Sequence, residues 1–281
     1  GQQMKGPLII TQGDPAGVGP ELALQVLSED RSGDLKLLGC RELHRKIADR
    51  LSLPFNPDQI IDLPLESEIE PGKVSAISGD HSFRCLEAAV EGALAGKYSG
   101  VVTNPIHKEA WHLAGHPFPG HTEYITKQLG PDQSLMFMVS DELKVGLVTN
   151  HTPLEEVTHQ VTKKRITQKL DLLHSALKMD YGIERPTIAV LGLNPHAGDG
   201  GVIGEAEENI IRPAIVEAKK KGMVVVGPFP ADGFFGSGQY RKYDGVLAMY
   251  HDQGLIPFKL LSFGKGVNFT AGLSGIRTSP D

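Results

Sequence analysis

The 281-residue chain carries only two cysteines, Cys40 and Cys85. They are far apart in sequence and fit no metal or C-x-x-C spacing, which excludes a disulfide scaffold and a cysteine-built zinc or redox centre. Two such thiols fit a reduced, cytoplasmic setting. Long apolar runs are also missing: no stretch approaches the roughly 20 residues that cross a bilayer, and no positively charged segment precedes an apolar one near the start. Basic runs are absent, and 28 Lys and Arg face 34 Asp and Glu for a net charge of -6. Phosphate neutralisation needs clustered cations, so nucleic acid is a poor partner. The chain shows no internal repeat and no Gly-, Pro- or Ser-rich linker. Gly1, Gln2 and Gln3 before Met4 read as a tag remnant.

With 40% hydrophobic and 22% charged residues, the chain is ordinary globular protein. Its length suits one large domain or two. Short β-branched runs such as "LIITQ", "LKLLG", "GVVTNP", "KVGLVTN", "TIAVLGLN" and "DGVLAMY" are strand-like, and helix-like stretches such as "RITQKLDLLHSALKMDYG" separate them. That alternation predicts an α/β protein with a parallel sheet, divided near "GHTEYITKQL".

Three of these strands empty directly into a histidine: "KVGLVTNHTP" at His151, "TIAVLGLNPHAGDGG" at His196 and "DGVLAMYHDQGL" at His251. In parallel sheets ligands collect beyond the carboxyl ends of the strands, so the three are expected on one edge. Three neutral imidazoles with an open fourth position are the layout of a catalytic metal site. Any one of them alone reads more readily as a surface loop residue; the repetition favours ligands. No short H-E-x-x-H spacing is present.

Other motifs are more ambiguous. "TQGDPAGVGPEL" lacks both nucleotide fingerprints, and Asp14 would repel phosphate, so the loop either meets a ligand or merely turns the chain. Glu205, Glu207 and Glu208 open the helix after His196; the expected role of Glu207 and Glu208 is structural, complementing the helix dipole. Four histidines, His107, His112, His116 and His121, fall within "VVTNPIHKEAWHLAGHPFPGHTEYI"; His112 and His116 cannot share a helix across Gly115 and Pro117 and read as exposed or cap-like residues. His121 and Thr122 begin a new segment suited to a cleft. Lys259 and Arg277, near Asn268, suit an anionic group, although isolated surface cations are usually solvated.

In order along the chain, "GDPAGVGPE", "VTNPIHKEAW", "GHTEYI", "LNPHAGDGG", "AMYHDQG", "GVNFTAGL" and "IRTSPD" resemble the 4-hydroxythreonine-4-phosphate dehydrogenases of pyridoxal phosphate (vitamin B6) biosynthesis. The resemblance implies an isocitrate/isopropylmalate dehydrogenase-like α/β fold: residues 1–123 with 270–281 in one subdomain, 124–269 in a second bearing the metal site and dimer interface, and a cleft between them. It implies a homodimer whose metal, Zn, Mg or Co, is held by His151, His196 and His251 drawn from both subunits. The substrate contacts map onto His121, Thr122, Lys259, Asn268 and Arg277, and Lys259 or Asp252 is the expected proton carrier. The implied reaction is NAD- or NADP-dependent oxidation of 4-phosphohydroxy-L-threonine to a 3-oxo acid that decarboxylates to 3-amino-2-oxopropyl phosphate. The cofactor's own contacts are not assigned.

Two departures accompany the resemblance. Asp199 stands where the family commonly has glutamate. The family pattern also continues past the position of Asp281 with a His-Gly-Thr stretch and further helices, so part of the first subdomain, and of the cofactor pocket, is expected to lie beyond it. Rival expectations are a dehydrogenase of 4-phospho-threonate or 4-phospho-erythronate, a non-catalytic metal- or phosphate-binding relative, and, less well suited, a metal-dependent phosphohydrolase.

Overall fold

The structure is a computed structural model that describes residues 6–130, 132–272 and 275–278. Gly1–Gln3, read above as a remnant, and the last three residues of "IRTSPD" lie outside the described residues. The chain forms two compact units, Gly1–Gln128 with Gly272–Asp281, and Leu129–Ala271. The division expected from sequence was at 123/124 and 269/270.

Unit 1 begins with β1 (Leu8–Thr11), α1 (Gly19–Glu29), β2 (Leu35–Gly39), α2 (Arg41–Leu51), β3 (Ile60–Asp62), α3 (Ala76–Leu94), β4 (Gly100–Val102), α4 (Lys108–Leu113) and α5 (His121–Leu129). Its strands lie in the order β3-β2-β1-β4, all parallel. Short apolar strands followed by helices leave no other arrangement that covers both faces. Ser75 caps α3 by accepting the Ser78 amide at 3.1 Å, which fixes where that helix starts. Leu24, Ile47 and Ala48 pack α1 against α2, and Ile10, Ala23, Leu27, Leu35, Leu37 and Ile60 fill the space against the sheet.

Unit 2 contains β5 (Ser134–Val139), β6 (Lys144–Leu147), α6 (Leu154–Gln160), α7 (Lys163–Met179), β7 (Thr187–Leu191), α8 (Arg212–Lys220), β8 (Val224–Phe229), α9 (Ala231–Gly236), β9 (Gly245–Ala248), α10 (His251–Ser262) and β10 (Val267–Gly272). Their order is β10-β5-β6-β9-β7-β8. The pairs β6–β9, β9–β7 and β7–β8 are parallel, but β5–β6 is antiparallel. The expected all-parallel pattern fails there because residues 140–143 between the two strands are too few for a crossover and permit only a hairpin. The chain then returns to unit 1 as β11 (Ile276–Arg277), parallel to β4.

The core of unit 2 lies between the sheet and α7 and α8, with Leu135, Ile166, Leu170, Leu173, Ile188, Val190 and Leu247 fully buried. α10 crosses the other face. A Cβ at Gly254 would stand 2.9 Å from Leu147 and 3.1 Å from Ala248 and Val145, so the glycine lets α10 lie directly on β6 and β9. That accounts for the glycine that follows His251, Asp252 and Gln253.

Candidate metal centre

The three histidine-bearing strands are neighbours. β6, β9 and β7 are adjacent and parallel, and their ends are level, with Leu147 opposite Ala248 and Val190 opposite Leu247. His151, His196 and His251 therefore leave the sheet by one edge, as the strand-end pattern predicts. Two side chains, buried Thr149 and half-buried Gln253, tie that edge together. Thr149 Oγ1 donates to the Met249 carbonyl at 2.8 Å, joining the end of β6 to that of β9. Gln253 accepts the Met249 amide at 2.8 Å and donates to the Gly192 carbonyl at 2.7 Å, joining β9 to β7.

His151 and His251 meet, with ring centroids 5.6 Å apart. They line a cavity of about 250 Å³ together with Asn150, Thr152, Tyr250 and Asp252. The Asn150 Oδ1 in that wall is buried without a hydrogen-bond partner. His251 Nδ1 lies 2.9 Å from Asp252 Oδ1. A carboxylate only accepts, so Nδ1 carries the proton and the Nε2 lone pair stays free for a ligand. Asp252, expected as a proton carrier, thus also stands where it orients the His251 ring.

His196 is exposed and does not complete the pair: among the described residues no cluster of three His, Cys, Asp or Glu could hold a metal. The donor chemistry fits a divalent ion, because neutral imidazole with a carboxylate behind it is a typical ligand. One chain supplies two converging rings, short of the three a catalytic site requires.

The His196 loop has an unusual backbone. His196, Ala197, Gly198, Asp199 and Gly200 have φ of 55°, 50°, 83°, 48° and 63°, five consecutive left-handed residues. Each non-glycine there costs about 1–2 kcal/mol, least for aspartate, whose short polar side chain tolerates this region. Behind the loop lies Glu207, fully buried at 0% exposure. Its carboxylate accepts the amides of Leu193 at 2.7 Å and Asn194 at 2.8 Å, and the Asn194 side-chain amide at 3.1 Å. The expectation that Glu207 serves a helix dipole is corrected: it opens a π-helical turn, Glu207–Ile211, and faces back to the end of β7. Glu208 pairs with Arg212 at 2.9 Å.

The residues expected to hold substrate divide between the units. In unit 1, His121 and Thr122 open α5 and are 2% and 6% exposed. His121 Nδ1 lies 3.2 Å from Thr103 Oγ1. The Thr103 amide bonds the Arg277 carbonyl at 2.9 Å, so these groups share the edge where β4 and β11 end. Arg277 donates to the carbonyls of Ile276 at 3.0 Å and Gly272 at 3.3 Å. In unit 2, Asn268 Oδ1 is buried and unpartnered. Lys259 is exposed on α10, eight residues after His251 and so about 12 Å further along the helix.

The Gly13–Gly17 loop turns the chain: Asp14 accepts the Ala16 amide at 3.0 Å, its own amide bonds the Pro105 carbonyl at 2.9 Å, and Gly17 bonds the Asp14 carbonyl at 3.1 Å. With these groups spent internally, the phosphate reading loses its support. His107 caps α4 by accepting the Ala110 amide at 3.3 Å, and His112 is exposed. His116 is half-buried, stacked on Phe83 at 3.8 Å and 3.0 Å from Asp80.

Thr149, Gln253 and Glu207 are the site-building residues that sequence reading missed in these roles. Their signal was weak: Thr149 and Gln253 follow strand ends, where a polar side chain is unremarkable, and Glu207 opens a helical turn, where an acidic residue is equally ordinary.

A family model described as pyridoxal phosphate biosynthetic protein PdxA matches residues 23–281. The chain belongs to the PdxA family. It is 42% identical to a 4-hydroxythreonine-4-phosphate dehydrogenase of Bacteroides thetaiotaomicron, over 96% of this chain and 79% of that protein. It is 41% identical to a D-threonate 4-phosphate dehydrogenase of Salmonella typhimurium, over 97% of this chain and 89% of that one. Among solved structures, a 4-hydroxythreonine-4-phosphate dehydrogenase from Klebsiella pneumoniae matches with TM-score 0.68 and 37% identity, over 98% of this chain and 90% of that chain. The PdxA fold is the isocitrate-dehydrogenase-like α/β architecture expected from the motifs.

Proposed function

We propose that this PdxA-family chain is a metal- and NAD(P)-dependent dehydrogenase of a small phosphorylated hydroxy acid, with 4-phosphohydroxy-L-threonine as the first candidate substrate. The observation that carries the reading is the delivery of His151, His196 and His251 from three adjacent, level, parallel strand ends. These residues would hold a divalent metal between two copies of the chain, since one copy alone lacks a three-ligand cluster among its described residues. When bound, the metal supplies Lewis-acid polarisation at the substrate's oxygen and the nicotinamide a hydride acceptor, after which the 3-oxo acid loses carbon dioxide.

The chain's own groups do the rest. Asp252 accepts from His251 Nδ1 and so leaves Nε2 as the nitrogen that would meet the metal. Thr149 and Gln253 keep the strand ends level, so the rings are held before a ligand arrives, which lowers the cost of binding. Lys259 and Arg277 provide cations for the substrate's phosphate and carboxylate, Arg277 through a planar fork that suits either group. His121, anchored to Thr103, and Thr122 offer ring nitrogen and hydroxyl to the polar substrate, and Asn268 offers the amide whose oxygen is unpartnered.

A second reading has its own support, because the D-threonate 4-phosphate dehydrogenase is as similar to this chain as the first relative, 41% against 42%. That substrate lacks the amino group. The deciding experiment follows nicotinamide reduction by absorbance with each substrate, NAD or NADP, and Zn²⁺, Mg²⁺ or Co²⁺, against a chelated control. Turnover abolished by chelation supports the dehydrogenase reading, and the ratio of kcat/KM values selects the substrate. Metal binding without turnover on either substrate would favour a non-catalytic relative.

A further inference from the structure

We infer that Glu207 is the positioning residue for His196, holding the left-handed loop in the one shape that presents the imidazole beyond the edge of the sheet. The inference rests on the reading of His196 as a metal ligand. Three independent contacts carry it. The Glu207 carboxylate takes the Leu193 and Asn194 amides, the last two donors before Pro195, and thereby fixes the direction in which the chain leaves β7. It also takes the Asn194 side chain, which packs so closely on Gly204 that a Cβ there would stand 2.2 Å from Asn194 Nδ2. Gly198, inside the left-handed run, closes over the carboxylate: a Cβ would stand 2.6 Å from Glu207 Oε1 and 2.6 Å from the Gly204 carbonyl.

Five consecutive left-handed residues, three of them not glycine, do not persist through local preference. They persist only where the surroundings leave no alternative, and here the surroundings are one buried carboxylate and the residues moulded to it. Gly192, Asn194, Gly198, Gly204 and Glu207 thus form a single mould, and the exposed His196 is its product. Glu207 touches neither metal nor substrate in this account. It acts only through the ring it places, as outer groups behind metal-binding histidines do.

The test is Co²⁺ titration of the full-length protein, followed by cobalt absorption and calorimetry at a temperature where circular dichroism shows every variant folded. Glu207→Gln turns an amide N–H group toward the backbone donors while keeping size, and is expected to weaken Co²⁺ binding at least tenfold and to speed amide exchange at Leu193 and Asn194. Glu208→Gln, the same charge change one residue on, is expected to bind as wild type does. A merely structural Glu207 would lower Tm and leave the Co²⁺ affinity of the folded protein unchanged, which overturns the inference. If Glu207→Gln does not fold, Asn194→Ala removes one contact of the mould; weakened binding supports the inference and wild-type binding overturns it. Wild type and His196→Ala binding Co²⁺ alike would remove His196 from the ligand set, and the inference falls with that reading. Loss in His196→Ala without loss in Glu207→Gln overturns the inference alone.

Discussion

In each unit one glutamine laces the carboxyl ends of parallel strands, yet the histidines beside it meet opposite fates. In unit 1, Gln12 accepts the Cys40 amide at 2.8 Å and donates to His81 Nδ1 at 3.1 Å, while His81 Nε2 donates to the Leu63 carbonyl at 2.6 Å. That network joins the ends of β1, β2 and β3 and uses both ring nitrogens. In unit 2, Gln253 bonds only backbone, and His151 and His251 stay outside the lacing, facing a cavity. One lacing consumes its histidine; the other leaves its histidines available. Burial separates the two cases: His44 and His81 are 0% and 2% exposed, whereas the His251 side chain is 35% exposed.

The comparison breaks most visibly at the glutamines. Gln253→Leu leaves the Met249 amide and the Gly192 carbonyl buried and unpaired, and at about 1–3 kcal/mol for each orphaned group the expected loss is about 4 kcal/mol. Gln12→Leu orphans the Cys40 amide and removes the donor to His81, for a similar loss. Urea unfolding measures both. The distinction lies in metal binding by the folded variants, weakened in Gln253→Leu and unchanged in Gln12→Leu. Equal weakening in both would mean that the two edges are not separate devices.

Acid tests the buried side next. His44 donates through Nδ1 to the Cys40 carbonyl at 2.7 Å, and its Nε2 is buried without a partner. Burial pulls its pKa down from 6.5 to about 4, against the smaller upward pull of the Cys40 carbonyl. The folded state therefore binds fewer protons than the unfolded chain between those values. The stability is complete above pH 6.5 and is lost as the pH falls toward 4, by about 3 kcal/mol at pH 4 relative to pH 7. His44→Leu, whose Cys40 carbonyl still receives the residue-44 amide, is expected to flatten that part of the curve.

Unit 2 offers a titration of the same sign in the alkaline range. Lys169 on α7 is 6% exposed and bonds the Ser134 carbonyl, and burial, with repulsion from Arg165, lowers its pKa from 10.5 to about 8. Here too the folded state holds fewer protons between the two values, so stability rises as pH climbs from 8 to 10.5. Between pH 7.5 and 9.5 the gain is about 2 kcal/mol. Lys169→Met should abolish it, as unfolding midpoints at the two pH values would report. A wild-type midpoint that stays level over that interval would refute the buried, depressed lysine.

Much of this was legible in the sequence because apolar runs and their terminators are local signals. The α/β alternation, the three strand-end histidines and the breaking of α4 before His116 all follow from neighbours in the chain. The hairpin of β5 and β6 was legible in principle from its short connection and was overlooked in favour of the general alternation. The lacing was not legible: nothing in "LIITQGD" says that Gln12 will bond residues 28 and 69 positions away. Nor does composition separate His81 from His151, since the difference is burial, a property of the folded sheet. Glu207 illustrates the same limit, for an acidic residue opening a helix ordinarily signals the dipole, and only the left-handed loop shows where its carboxylate turns.

The smallest expected effect concerns Asp252, whose contact with His251 joins neighbouring residues on the exposed side of the comparison. At 74% side-chain exposure the carboxylate is solvated and holds the ring weakly, so Asp252→Ala is expected to weaken Co²⁺ binding about tenfold, the lower end for such orienting groups and equal to about 1.4 kcal/mol. Asp252→Asn keeps an oxygen acceptor for the Nδ1 proton and should recover most of that loss. The pair of variants separates orientation from proton transfer. An orienting Asp252 shifts metal affinity in the alanine variant and is rescued by asparagine; a proton carrier leaves affinity alone and loses kcat in both, because an amide takes up no proton near neutral pH. The second pattern would restore Asp252 to the reaction itself and leave the His251 tautomer to be fixed by the metal alone.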